Sequence, residues 1–128
     1  MRHIGRHYLL PIIVFSLTIL SQVVLADDPV TANREAMQRC IVNMAARAQR
    51  YYYTPITQGG GSGSFANTTL GLLISRPNNA YGTFVLSSPL ATSITLTGTG
   101  IETGADGATP VAVTVIVYSD SINIVINN

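Results

Sequence analysis

"PVTANREAMQRCIVNMAARAQRYYYTP", residues 29 to 55, is the stretch on which the fold turns. Asp28 stands just before it, so a carboxylate occupies the N-cap position and Pro29 the first helical position, where its missing N–H costs nothing. Met37, Cys40, Ile41, Met44, Ala48 and Tyr51 then recur at the three-and-four spacing of one apolar helical face. At about 100° per residue, Tyr51 and Tyr52 flank that line, while Tyr53 points nearly opposite with Val42 and Ala46. Two of the tyrosines are therefore expected to close a core, each keeping a hydroxyl in reach of water at the end of the seam. Pro55 pushes Thr54 out of the α region and ends the helix. Glu35 and Arg39, four apart in the favourable order, and Arg50 mark the other side as facing water or a neighbour.

Downstream, Gly59 to Ser64 reads as a flexible connector, too rich in glycine to form an element. Leu70 to Ile74 fits either a short helical turn or an extra edge strand. After Asn78-Asn79 the hydrophobic period changes from that of a helix to two. Thr83–Ser88, Ser93–Thr99, Val111–Tyr118 and Ile122–Ile126 then read as a four-stranded antiparallel meander. Its buried face is expected to carry Phe84, Leu86, Ile94, Leu96, the odd-numbered valines from Val111 to Val117, and Ile122, Ile124 and Ile126. Thr83, Thr95, Thr97, Thr114 and Asn123 fall opposite, with Ala112, Ile116 and Val125 leaving that outer surface less polar than a free monomer prefers. So small a sheet does not outweigh the entropy of ordering its own backbone and needs the helix as a second layer. The expected fold is α+β: an N-terminal hydrophobic helix leading into an amphipathic helix packed on the sheet. The divisions are 1–26 (anchor or signal segment), 27–54 (amphipathic helix), 55–80 (connecting loop) and 81–128 (β-sheet head).

Upstream, Tyr8 to Ala26 carries no charge and approaches the ~20 residues needed to span a hydrocarbon core. Arg2, His3, Arg6 and His7 precede it and Asp27 and Asp28 follow, which places the N-terminus in the cytoplasm and exports the remainder. Val24-Leu25-Ala26 has the small-residue pattern of a signal-peptidase site. Both outcomes stay open: retention in the inner membrane through residues 8–26, or release after Ala26.

The net charge is +1, lysine is absent, and five arginines face six acids beyond Ala26. Such a body has no electrostatic footprint for nucleic acid. Both histidines lie before the apolar run, so histidine acid–base catalysis and histidine metal ligation are excluded from the exported part. Cys40 is the single cysteine; no intramolecular disulfide is possible, and its place in the helical stripe reads as packing. Gly59 to Gly63 lacks the Lys-Ser/Thr of a phosphate loop, and Gly98-Thr99-Gly100 reads as a bulge or strand end. Glu102 and Asp106 share a glycine-rich turn and are weak candidates for Ca²⁺ ligands, although their spacing does not match an EF-hand and a solvated hairpin explains them. No catalytic residue, cofactor or small-molecule substrate is expected.

"ANREAMQRCIVNMAARAQRYYYTP", "GGGSGSF", "NAYGTFVL" and "LTGTGIETGADGATPVAVTV" resemble a group of small bacterial envelope proteins similar to the type IV pilins and pseudopilins. The resemblance covers about residues 32 to 128. It implies a non-enzymatic structural subunit, anchored in the membrane or assembled into a surface filament. The chain departs from the pilin pattern where Arg6 follows Gly5 and where Leu10 stands at the position of the glutamate that registers one pilin on the next. The second helix face, Val42, Ala46, Gln49 and Tyr53, is the expected assembly surface, its small residues suited to close helix contact. The alternative is a secreted or periplasmic binding or adhesion module, cut after Ala26, which meets a partner at its sheet edge or at Ile116 and Val125.

Overall fold

The computed structural model describes residues 28–128; the expectations for the anchor or signal segment at 1–26 lie outside the described residues. Helix α1 spans Pro29–Tyr53 and starts as its sequence dictates. The Asp28 carboxylate accepts the N–H of Val30 at 3.1 Å and of Thr31 at 3.3 Å, and the Thr31 hydroxyl donates to its other oxygen at 2.5 Å. These bonds, the Thr31 hydroxyl foremost, hold the Asp28 carboxyl below its ordinary pKa. Thr54 is extended, as a residue before proline must be, and its hydroxyl donates back to the Arg50 carbonyl at 2.7 Å.

The glycine run is not the flexible connector its composition suggests. It folds back as a cap on the last turn of α1, after a 3₁₀ turn at Ile56–Gln58. Gly61 N–H donates to the Tyr51 carbonyl at 2.8 Å, Gly63 N–H to Tyr52 at 2.7 Å, and Ser62 N–H to Thr54 at 3.0 Å. Helix-end carbonyls that would otherwise need water thus find partners in the loop. The fit is tight at Gly61, where a Cβ would lie 2.1 Å from the Ser64 carbonyl oxygen and 2.7 Å from the Tyr51 ring. Segment 55–80 also feeds the core. Phe65 and Leu73 are fully buried in it, and the Tyr52 and Phe65 ring centroids lie 4.7 Å apart. Leu70–Leu73 resolves as a short helix, α2.

The sheet has five antiparallel strands in sequence order, where four were expected: β1 Asn78–Asn79, β2 Gly82–Ser87, β3 Ser93–Thr103, β4 Pro110–Tyr118 and β5 Ile122–Ile126. The additional one is the two-residue β1, too short to leave a periodic signal, which pairs with Gly82 and Thr83. The register places Phe84 opposite Gly98, Leu96 opposite Val115 and Val115 opposite Ile124, so the inner face is the one that alternation predicts. The β3–β4 register shifts between Thr99 and Thr103, a bulge at the glycine-flanked position.

The expected burial fails at one strand. Ile94, Leu96, Val111, Val113, Val115 and Val117 are fully buried beneath α1 together with Phe84, and Leu86 is half-buried. Ile122, Ile124 and Ile126 point to the same side yet remain 37%, 38% and 48% exposed. The reason is width. A helix about 10 Å across covers two strands spaced about 4.8 Å apart, and α1 lies over β3 and β4. Strand β5 falls outside its shadow.

Candidate functional site

Two faces of α1 were singled out by spacing, and the structure separates them. On the core face Met37, Ile41, Met44 and Ala48 are fully buried, while Cys40, Tyr51 and Tyr52 are half-buried at its margin. Ala36 and Ala45 join them although the stripe did not include them. On the other face Val42, Ala46 and Tyr53 are exposed, Val42 by 41% and Tyr53 by 65%. Gln49 differs from these three. Its side-chain amide donates to the Tyr118 carbonyl at 2.9 Å and to the Ser121 carbonyl at 3.2 Å, so it ties α1 to the β4–β5 turn. Sequence spacing alone places a glutamine on a face; it does not reveal that a turn lies within its reach.

Arg34, fifteen residues earlier on the same flank, makes a matching tie. Its Nε donates to the carbonyl of Asn128 at 3.3 Å. The flank bearing Arg34 and Gln49 is therefore the one turned towards β5. Ile122, Ile124 and Ile126 thus remain exposed between two polar ties that join α1 to the ends of β5.

Asn33 is the functional part of the framework that the sequence reading missed. It is buried at 6% exposure, donates from Nδ2 to the Tyr81 carbonyl at 2.8 Å, and accepts the Glu102 N–H at Oδ1 at 3.2 Å. One side chain thereby joins α1 to the start of β2 and to the bulge in β3. Glycine at 100 is required for this, since a Cβ there would lie 2.2 Å from the Asn33 oxygen. A signal existed: Asn33 stands four residues before Met37, in line with the buried stripe.

Glu102 and Asp106 are placed in different roles. Asp106 accepts the N–H of Ala108 and of Thr109 at 2.9 Å each, the Thr109 hydroxyl at 2.6 Å, and the Asn128 amide at 3.1 Å. A carboxylate accepts about four hydrogen bonds, so this one is saturated by its own turn together with Asn128. The Thr109 hydroxyl, then the Thr109 and Ala108 N–H groups and the Asn128 amide, hold the Asp106 carboxyl well below the usual carboxylate range. The Asn128 amide further donates to the carbonyls of Thr109 at 2.8 Å and Pro110 at 3.1 Å, closing the turn from the far side. Among the described residues no group of three or more His, Cys, Asp or Glu is gathered as a metal ion requires. No helix among them is long and apolar enough to cross a membrane.

The class that this geometry defines is an α+β protein, one long helix followed by a five-stranded antiparallel sheet that it covers in part. No protein-family model, curated protein or solved structure matches the chain.

Proposed function

We propose that the chain is a non-enzymatic, pilin-like structural subunit of the bacterial cell envelope, exported and either anchored in the inner membrane through residues 8–26 or assembled into a surface filament. The supporting observation is the bare helix face. A helix that served only to cover its sheet has no use for Val42 and Tyr53 at 41% and 65% exposure around a small Ala46. Small residues between larger apolar ones admit a second helix at close range. Chemistry fits the same reading: the exported part holds no histidine or lysine, and its single cysteine is packed against the core. Replacing Ala46 by Arg is expected to abolish assembly in a cross-linking or sedimentation assay while leaving the circular dichroism of the head unchanged. Assembly that survives the substitution rules this face out as the contact.

One observation favours a second reading, a secreted or periplasmic binding or adhesion module released after Ala26. Strand β5 ends the sheet with an open backbone edge and an exposed Val125, which is what addition of a partner's strand requires. Sequencing the N-terminus of the mature protein separates the two: Asp27 as first residue selects the module, and Met1 or Arg6 selects the anchored subunit.

A further inference from the structure

Strand β5 carries an inference about what meets that open edge. The register pairs Ile116 with Asn123 and Thr114 with Val125, and Tyr118 N–H donates to Ser121 while Asn127 N–H donates to Ala112. Bonding between antiparallel strands alternates, so the odd-numbered residues of β5 spend their backbone groups on β4. The N–H and C=O of Ile122, Ile124 and Ile126 therefore point outward to the unpaired edge. These are the same three residues whose side chains stand on the inner face beyond the cover of α1. The sequence Ile122-Asn123-Ile124-Val125-Ile126 is also symmetric about its centre in the pattern of these isoleucines.

We infer that β5 pairs antiparallel with β5 of a second copy of this chain, about a two-fold axis through Ile124, joining two sheets into one. Ile124 then faces Ile124 and Ile122 faces Ile126, each opposed pair exchanging two backbone hydrogen bonds. The inner-face isoleucines of both copies form one patch between the two α1 helices and remove from water what a single copy leaves exposed. No charge lies between Ser121 and Asn128 to repel a like strand, whereas edges kept monomeric usually carry one. Charge also complements across the axis. The turn before β5 of one copy, which carries Asp120, then adjoins the end of β5 in the other, where Arg34 bonds the Asn128 carbonyl. The strand is held in place for this, tied to α1 at one end by Arg34 and at the other by Gln49.

This inference rests on the self-association proposed above, and the test separates the two. Full-length chain in mild detergent, with Cys40→Ala to remove the native thiol, receives Ile124→Cys or Val125→Cys and is exposed to a mild oxidant. Across the two-fold axis the residue-124 Cα atoms lie about 5.5 Å apart, inside the disulfide range. The residue-125 pair is offset by two residues and lies roughly 8 Å apart, outside it. A covalent dimer from Ile124→Cys but not from Val125→Cys is the expected result. A second variant, Ile124→Lys in the otherwise native chain, is expected to weaken association at least tenfold by sedimentation, with an unchanged circular dichroism spectrum. An oligomer that forms without the residue-124 disulfide, or with the residue-125 one instead, overturns the inference and leaves self-association standing. A monomer throughout overturns both.

Discussion

Asn33 shows what a single side chain contributes when it is the buried polar group in a helix–sheet seam. Its amide satisfies one carbonyl at Tyr81 and one N–H at Glu102. The Tyr81 carbonyl keeps a second donor, Ile101 N–H at 3.1 Å, but the Glu102 N–H has no other partner among the described hydrogen bonds. Asn33→Ala is expected to lower stability by about 1–3 kcal/mol, the cost of a buried donor left unpaired, read as a shift of the urea midpoint. An unchanged midpoint would show that the staple is incidental. At this scale the sequence was legible only for groups whose role is local. Asp28 and Pro29 announce a helix start because the N–H groups they serve lie within three residues. Asn33 reads as one more polar helix residue because the glycine that makes room for it is at position 100. The tie from Gln49 to the β4–β5 turn is hidden for the same reason, since Ser121 is a distant neighbour in sequence.

Among the elements, α1 and strands β2 to β5 were legible because each carries its own periodicity, three-and-four for the helix and two for the strands. The loop from Gly59 to Ser64 was not. Composition reports how many conformations glycine permits, and says nothing of whether a particular one is fixed by hydrogen bonds to the preceding helix. Here Gly61 and Gly63 close on Tyr51 and Tyr52, so Gly61→Ala must displace either the Ser64 carbonyl or the Tyr51 ring. We expect it to cost about 1–3 kcal/mol and to lower the melting temperature. Gly63→Ala meets nothing within 4 Å and suffers only its φ of +85°, a smaller loss of about 1 kcal/mol. A flexible connector would tolerate both substitutions equally, so comparing the two melting curves checks the cap. The tyrosines have their explanation in the same place: Tyr52 packs on Phe65 at the end of the seam, and Tyr53 meets it edge-on at 5.0 Å while facing outward.

For the molecule as a whole the decisive quantity is how much sheet one helix can shelter. The sequence supplied the correct inward residues on every main strand. It could not say which strands lie under the helix, because that depends on crossing position and helix width, and neither is written in any local pattern. The result is a graded structure, closed over β3 and β4 and open at β5. Amide exchange is expected to report this gradient in dilute protein. The N–H groups of Val113, Val115 and Val117 exchange only through global unfolding, and those of Ile122, Ile124 and Ile126 exchange near the rate of an unprotected edge. Equal protection of the two sets at low concentration would contradict the unpaired edge of β5. Rising protection of the second set with concentration belongs to strand pairing between copies.

The two ends of α1 also differ in when they can be completed. Its C-terminal turn closes on Gly61 and Phe65, barely a dozen residues later, a loop whose closure costs little entropy. Its N-terminal half waits for partners 48, 69 and 94 residues downstream at Tyr81, Glu102 and Asn128. Contacts so remote in sequence slow folding. A chain leaving the ribosome N-terminus first therefore carries this half of the helix unlatched until the β4–β5 hairpin has emerged.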